Sequence, residues 1–359
     1  MFGTYRTVLA LLVVLQHLGG IEVIGTYAVF GFYILSGYLM TAIMHQSYGY
    51  TATGVSRYAL NRFLRVYPIY WVSALFTLAL IYLFGSQALG DYHEAMRYPA
   101  TLNEVIKNSL ILFPDLSSAR LTPPAWALTV ELFFYVLIGV GLSRCFRAVV
   151  VWFVVSLIYH VTAALQSFPW SDTYFSVAAA SLPFSTGALI FFQRERLRHW
   201  LEGRETPIVV LLATAFVANY LVVDTFTSRP FGFYSSYVIC AMMVASLSLV
   251  SASQRWLSVD KWLGDLSYPI YLTHFQAGFL VIWLAGSVGV ALDKDNLMFF
   301  ALSVPLILVI SLVMSHVLQI PIDSVRSMIK HKNPTSAVRS VRTTGPAAMV
   351  ASCTSKLEK

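Results

Sequence analysis

Residues 297–319 read LMFFALSVPLILVISLVMSHVLQ and contain no Asp, Glu, Lys or Arg. A helix needs ~20 consecutive, mostly apolar residues to cross the hydrocarbon core of a bilayer. The segment therefore predicts a membrane-spanning helix. Similar apolar segments precede it along the chain, at residues 6–24, 27–45, 65–84, 124–142, 148–166, 173–192, 207–224, 231–250 and 267–287. Together they predict an all-α, polytopic integral membrane protein with about ten transmembrane helices.

The composition of the whole chain agrees with this prediction. Of its 359 residues, 57% are hydrophobic and only 11% are charged, and the mean hydropathy is +0.69. A soluble protein carries roughly 25% charged residues. An ordinary soluble enzyme, a disordered chain and a nucleic-acid-binding protein are therefore excluded. The three cysteines, Cys145, Cys240 and Cys353, are too scattered to indicate a disulfide framework or a metal site.

The basic residues predict the orientation of the chain in the membrane. If the N-terminus is cytoplasmic, ten crossings place the C-terminus on the same side. This topology puts 19 of the 24 Lys and Arg residues in the cytoplasm, as the positive-inside rule requires. The net charge of +7 is therefore mostly a topology signal.

Two segments are expected to differ from the membrane domain, which we assign to residues 1–325. Residues 85–123 form an outer loop that is long enough to act as a lid or as part of an acceptor site. Residues 326–359 are rich in Ser, Thr, Lys and Arg and poor in apolar residues, so they are expected to form a disordered cytoplasmic tail.

Two ionisable residues of the first helix are candidates for function, because ionisable groups inside a bilayer are costly. Arg6 and His17 are eleven residues apart, close to three full turns, so they lie on nearly the same helical face and ~16 Å apart along the axis. Arg6 alone is explained equally well by orientation of the helix at the cytoplasmic edge. His17 alone is also explained by a hydrogen bond to a neighbouring helix.

The segment PPAWALTVELFFY, which enters the membrane from outside, carries Glu131. The predicted depth of Glu131 is close to that of His17, slightly outward of the bilayer midplane. If their helices are neighbours, the carboxylate would orient the imidazole and favour its action as a general base. A purely structural ion pair between the two helices is the alternative.

Two further motifs have both a functional and a structural interpretation. Ser36 and Gly37 lie near the middle of the second helix, where such a pair most often permits close helix packing, and a serine nucleophile is the less supported alternative. Arg62 and Arg65 fall on one helical face at the cytoplasmic membrane edge. They can bind phosphate oxygens in a forked geometry, or they can anchor the helix to lipid headgroups.

The segment GDLSYPIYLTH places Tyr268, Tyr271 and His274 at intervals of three residues in the ninth predicted helix. Such a polar stripe can line a cavity. An interfacial tyrosine belt with a hydrogen-bonded histidine explains the pattern about as well.

Taken together, the motifs resemble those of the acyltransferase family 3 membrane acyltransferases, which O-acylate bacterial surface glycans, Nod factors and some macrolides. The matching motifs are R-x10-H at Arg6 and His17, FYILSG at residues 32–37, Arg62 and Arg65 followed by PIYW, W-x-L-x-x-E from Trp126 to Glu131, and SYPIYLTH at residues 267–274. They occur in the expected order. The acidic residue that commonly precedes the second motif is absent, since the sequence there reads YAVFGFY.

The resemblance implies that acetyl-CoA, or another short acyl-CoA, is the acyl donor, and that a hydroxyl of a glycan or glycolipid is the acceptor. It also implies a bacterial cytoplasmic (inner) membrane location. We assign His17 and Glu131 to catalysis. The set assigned to donor binding is Arg6, Arg62, Arg65, Ser36, Tyr268 and His274. Acyl transfer either passes through a covalent acyl-histidine or goes directly to the acceptor.

Two other functions fit a ten-helix membrane protein with an intramembrane His and Glu. A proton-coupled secondary transporter would use the same residues as a proton relay, although the sequence lacks the repeated halves that such transporters often show. A non-catalytic partner of polysaccharide export is the second alternative. Cleavage of an acyl-CoA thioester by the purified protein would separate an enzyme from both.

Overall fold

The computed structural model describes residues 1–223 and 229–331. All of the regular structure in these residues is helical, and short π-helical turns extend several helices. The α-helices are α1 Phe2–Gly19, α2 Ile24–Ile43, α3 Ala52–Phe84, α4 Ser86–Tyr92, α5 Leu102–Leu110, α6 Trp126–Val140, α7 Phe146–Leu165, α8 Val177–Leu201, α9 Glu205–Ala218, α10 Arg229–Leu247, α11 Gln254–Ser287, α12 Leu297–Met314 and α13 Ile320–His331. The all-α prediction is confirmed.

Each of the ten predicted membrane segments contains an α-helix. Within the described ranges, eight helical segments are long and apolar enough to cross a bilayer: Ile24–Tyr48, Ala52–Phe84, Pro123–Val140, Phe146–Leu165, Glu205–Val222, Pro230–Leu247, Gln254–Ser287 and Leu297–Lys330. Helices α1 and α8 carry more polar residues and are not among these eight. The count of ten and the orientation of the termini stay predictions.

Helix α7 exposes a row of aliphatic side chains on its outer surface. Val151 and Val155, one helical turn apart, are 62% and 61% exposed. Val154 and Ile158, on the same helix, are also exposed. A stripe of aliphatic side chains directed away from the protein would be unfavourable in water, but it suits contact with lipid tails.

The chain divides into two compact units. Unit 1 comprises Met1–Phe32, Val66–Val130 and Gly203–Pro321. Unit 2 comprises Tyr33–Arg65, Glu131–Glu202 and the described residues from Ile322 onward. Each unit contains part of the residues that the sequence singles out, and the two are described separately below.

In unit 1, helix α1 packs against helix α11 with unusually close backbone contact. A Cβ atom built on Gly3 would lie 1.7 Å from the carbonyl oxygen of Asp260, so only glycine fits there. The Asp260 carboxylate accepts the backbone N–H of Gly3 at 2.9 Å, which stabilises the N-terminus of α1. Further along, the hydroxyl of Thr7 donates to the carbonyl oxygen of Leu263 at 2.6 Å. These contacts set the register between the two helices.

The outer loop of unit 1 is folded and contains helices α4 and α5. Thr101 and Glu104 form a capping box at the start of α5, in which each side chain accepts a backbone N–H of the other. The Asn108 side chain donates to the carbonyl oxygen of Ala119 at 2.8 Å and accepts the N–H of Leu121 at 2.9 Å. The loop therefore has a defined structure, as a lid or acceptor site would require, but either role stays a prediction.

In unit 2, helices α2 and α8 cross at a pair of glycines. A Cβ atom on Gly37 would lie 2.1 Å from the carbonyl oxygen of Phe184, and one on Gly187 would lie 2.0 Å from the carbonyl oxygen of Ile34. Both contacts are too short for any side chain. Gly37 therefore serves close helix packing, which was one interpretation of the Ser36–Gly37 pair.

The boundary predicted at residue 325 needs a correction. Helix α13 runs without interruption from Ile320 to His331, so residues 326–331 are helical rather than part of a disordered tail. Their order has a physical cause in a tertiary contact, because the backbone carbonyl of Arg326 accepts the side-chain N–H of Asn61 at 3.2 Å. Residues 332–359, the remainder of the predicted tail, lie outside the described residues.

Candidate active site

His17 lies directly against a second histidine of unit 1. Its Nδ1 atom is 2.9 Å from Nε2 of His274, and the two ring planes are only 10° apart. This is a hydrogen bond between imidazoles. His274 is fully buried, whereas His17 is partly exposed. The sequence singles out both residues, but it gives no indication that they are in contact.

The hydrogen-bond partners determine the tautomers of the pair. Nδ1 of His274 is 2.9 Å from the backbone carbonyl oxygen of Tyr271, which can only accept, so this nitrogen carries a hydrogen. Nε2 of a neutral His274 must then be the acceptor, and Nδ1 of His17 must be the donor. The lone pair of His17 is consequently on Nε2. The chain of contacts thus holds His17 in the tautomer that a base or nucleophile acting through Nε2 requires.

Phe275 and a third histidine complete the surroundings of the pair. The Phe275 ring centroid is 5.0 Å from that of His17, 4.5 Å from that of His274 and 4.6 Å from that of His93. His93 directly follows α4 in the outer loop. Burial lowers the pKa of His93, and the charge of Arg120 lowers it further, so His93 is neutral near pH 7. Sequence reasoning missed His93, because a loop histidine has no periodic pattern.

Arg6 occupies the position that the helical period predicts. Helix α1 is a continuous α-helix through both Arg6 and His17. The two residues are therefore on nearly the same face and ~16 Å apart along the axis. Arg6 is partly exposed. Its geometry suits a group that binds one end of an extended substrate whose other end reaches His17.

In unit 2, Glu131 accepts hydrogen bonds from two hydroxyl groups. Ser36 donates to its Oε1 atom at 2.6 Å, and Tyr135 donates to the same oxygen. The ring of Tyr135 lies under the guanidinium of Arg62, whose carbon is 5.9 Å from the ring centroid. These contacts hold the carboxylate in place. They also give Ser36 a partner that explains its position without a nucleophilic role.

The predicted pairing of Glu131 with His17 stays a prediction, because the two residues belong to different units. Each residue has hydrogen-bond partners within its own unit. His17 contacts His274, and Glu131 accepts from Ser36 and Tyr135.

The two arginines of the donor-site prediction lie about one turn apart on α3. Arg62 donates to the side-chain oxygen of Asn61 at 2.7 Å and contacts the sulfur of Met40 at 3.6 Å. Arg65 is partly exposed, one turn further along the helix. The spacing therefore keeps both guanidinium groups near one face, as a phosphate-binding pair would need.

The tyrosines of the SYPIYLTH motif use their hydroxyls for structure. Tyr268 donates to the backbone carbonyl of Val66 at 3.0 Å, and Tyr271 donates to that of Pro124 at 2.9 Å. Both side chains are buried. These bonds favour the structural interpretation of the tyrosines, whereas His274 from the same motif reaches His17. A direct contact of Tyr268 with the acyl donor stays a prediction.

The comparison with known families gives the class of protein. A family model described as an acyltransferase domain matches residues 1–316, most of the chain. Together with the apolar helices, this match defines a multi-pass membrane protein with an acyltransferase domain. The chain belongs to acyltransferase family 3. No match was found among curated proteins or among solved structures.

Proposed function

We propose that the protein transfers a short acyl group, most simply acetyl, from cytoplasmic acyl-CoA to a hydroxyl of an extracytoplasmic carbohydrate such as an exopolysaccharide or lipopolysaccharide. The observation that carries this proposal is the His17–His274 pair. It supplies an imidazole of defined tautomer whose lone pair is on Nε2, the ring nitrogen that the contact between the two histidines does not use. The family match supplies the reaction class.

In the direct route, Nε2 of His17 removes the proton of the acceptor hydroxyl while the oxygen attacks the thioester carbonyl. The new C–O ester bond forms, the C–S bond breaks, and the proton held by His17 passes to the departing thiolate. His274 assists by accepting the Nδ1–H of His17, whose hydrogen bond strengthens as positive charge develops on the ring. The same lone pair serves equally in a covalent route, in which Nε2 attacks the thioester carbonyl, the N–C bond forms, the C–S bond breaks and the CoA thiolate leaves. The acceptor oxygen then takes the acyl group from Nε2, the N–C bond breaks, and the hydroxyl proton passes to the thiolate.

The donor side of the proposal rests on the arginines. CoA is polyanionic, and guanidinium groups bind phosphate oxygens in a forked geometry. Arg62 and Arg65 are suitably spaced on α3, and Arg6 lies ~16 Å along α1 from His17, a length comparable to an extended pantetheine arm. With these arginines at the cytoplasmic membrane edge, donor and acceptor would enter from opposite faces.

The experiment that tests this proposal is an acyl-CoA cleavage assay with the purified protein in detergent. We expect thioester cleavage that depends on His17 and is absent from the His17→Ala variant. His316→Ala is a matched control, because His316 is an exposed histidine whose Nδ1 contacts the carbonyl oxygen of Leu312, one helical turn earlier. A transporter or an export partner would bind no acyl-CoA and cleave none.

The acceptor is tested in cells. Surface polysaccharides from cells with and without the gene are compared by mass spectrometry and by NMR of base-labile O-acyl groups. Loss of O-acyl groups from the glycan supports the proposal. Unchanged glycans, with a cytosolic acceptor modified only in inside-out vesicles, would overturn the transmembrane route.

A further inference from the structure

Helix α13 brings an arginine to the donor-site arginines of unit 2. Arg326 contacts Asn61, the residue before Arg62, through its Nε and Nη2 atoms, each 3.3 Å from the side-chain oxygen. The Asn61 amide nitrogen in turn donates to the Arg326 carbonyl oxygen at 3.2 Å. Asn61 is only 4% exposed, and the Arg326 side chain is 16% exposed. The contact is therefore a built part of the unit.

Positive charge accumulates around this contact. The same Asn61 oxygen that faces Arg326 also accepts a 2.7 Å hydrogen bond from Arg62. Arg65 and Arg62 both lie close enough to Arg326 for their charges to repel it. An amide oxygen is a neutral acceptor, so it orients two guanidinium groups without cancelling their charge.

Among the described residues, the charges of Arg62 and Arg326 are balanced only in part. Asp323, one turn earlier on α13, forms a salt bridge with Nη1 of Arg326. The charges of Arg62 and Arg326 also reach the hydroxyl of Tyr48. In the part of the chain that the structure describes, the Nε atom of Arg62 is buried without a hydrogen-bond partner. A partly buried group of like charges with an unused donor is unfavourable unless an anion joins it.

We propose that Arg326 is the third arginine of a phosphate-binding site, completed by Arg62 and Arg65, that takes the phosphate groups of the acyl-CoA donor. This inference rests on the proposed function and extends it to a residue that follows the last matched residue of the family model, 316. Asn61 orients the guanidinium before the ligand arrives, so little conformational freedom is lost on binding. Phosphate of anionic lipid headgroups has the same chemistry, and the experiment separates the two sources.

The test measures binding of CoA, which carries the phosphates but no reactive thioester, to the full-length protein in detergent. We expect Arg326→Ala to raise the Kd for CoA roughly 10- to 100-fold, the range for the loss of a charged hydrogen bond. Lys330→Ala is the matched control, because Lys330 is an exposed cation one turn further along α13. The Kd of this variant for CoA should equal that of wild type.

A second variant separates charge from helix packing. Asp323→Asn removes the carboxylate that competes for Arg326 but leaves all three arginines, so CoA should bind as tightly as to wild type or more tightly. If Arg326 merely held α13 in place, loss of the Asp323 salt bridge would weaken CoA binding as well. That outcome would overturn the proposal.

Repeating the measurement in nanodiscs separates the two phosphate sources. A CoA affinity that depends on Arg326 equally in zwitterionic and anionic lipid supports the donor site. If Arg326→Ala leaves CoA binding unchanged but lowers the retention of phosphatidylglycerol, Arg326 is a lipid anchor and the proposal is wrong. If the wild-type protein binds no CoA, the proposed function fails. If the wild-type protein binds CoA and Arg326→Ala binds it equally well, only the role of Arg326 fails.

Discussion

The histidine pair of unit 1 and the arginine cluster of unit 2 place ionisable side chains in opposite electrostatic surroundings. In unit 1, His17 and His274 are joined as neutral rings in one hydrogen-bonded chain that ends on a backbone carbonyl. In unit 2, Arg62 and Arg326 share a single amide oxygen, which orients both guanidinium groups without cancelling their charge. A neutral pair of fixed tautomer suits proton transfer. A positive cluster suits the binding of an anion. The comparison therefore predicts that variants of the histidine pair change kcat and variants in the arginine cluster change donor affinity.

The largest effect is expected from His17→Ala. Loss of a general acid–base group typically lowers the rate by 10²- to 10⁴-fold, so transfer should fall below about 1% of wild type. The measurement is the kcat for acyl transfer or thioester cleavage, with yield and thermal stability determined in parallel. Near wild-type turnover in a correctly inserted His17→Ala variant would remove the histidine pair from the chemistry.

His274→Ala tests whether the pair acts as a unit. We treat His274 as a positioning residue, since its two ring nitrogens contact His17 and the carbonyl oxygen of Tyr271, and its contact with the donor stays a prediction. Its loss frees the ring of His17, and we expect kcat to fall about 10- to 100-fold while the KM for acyl-CoA stays unchanged. His274→Gln should retain more activity than His274→Ala, because a glutamine oxygen can accept the Nδ1–H of His17. A parallel rise in KM in both variants would favour donor binding by His274 instead.

The sequence predicted the geometry within a helix better than the contacts between helices. The separation of Arg6 and His17 follows from the helical period alone, and helix α1 confirms it. The contact of His17 with His274 joins residues 257 positions apart. It depends on a backbone approach at Gly3 that no single motif encodes.

Arg326 was missed for a different reason. Its segment is polar and basic, so composition predicted disorder, but the buried side chain of Asn61 pairs with the backbone and side chain of Arg326. A single tertiary contact of this kind is invisible to composition. The same limit applies to His93, whose place beside Phe275 depends on the folded outer loop.

An intermediate effect is expected from Glu131→Gln. The substitution keeps an oxygen that accepts the hydroxyls of Ser36 and Tyr135, but it removes the negative charge. If Glu131 supports catalysis as predicted, a loss of about 1.5 kcal/mol, the low end for hydrogen bonds to charged groups, corresponds to roughly tenfold in kcat. Ser36→Ala is the companion variant. Since it leaves the charge intact, it should lower kcat less than Glu131→Gln, and the reverse order would assign the role to the serine hydroxyl.

The smallest effect is expected in the outer loop of unit 1, at Glu104. Its carboxylate accepts backbone N–H groups of Ala100 at 2.9 Å, Ala119 at 3.2 Å and Thr101 at 3.4 Å. Burial raises the pKa of Glu104, but these hydrogen bonds and the charge of Arg97 outweigh it, so the pKa is lowered overall. A carboxylate with a lowered pKa stabilises the fold above its unfolded pKa of ~4.3. The contribution is lost as the pH falls through the lower, folded value.

Hydrogen exchange of the loop amides measures this contribution. We expect Glu104→Gln to speed exchange at Ala119 and Thr101 about fivefold at pH 7, which corresponds to about 1 kcal/mol, typical of a helix cap. The difference from wild type should shrink as the pH falls through the lowered pKa of folded Glu104, where the wild-type carboxylate also becomes neutral. Glu94→Gln is the control, because Glu94 is an exposed carboxylate of the same loop. The amide exchange rates of this variant should match those of wild type.

Equal exchange rates in Glu104→Gln and wild type at pH 7 would mean that the remaining contacts of Asn108 alone hold the loop. CoA binding, which we assign to Arg6 and to the arginines of unit 2 rather than to the outer loop, should be the same in all three proteins, and any change there would contradict that assignment.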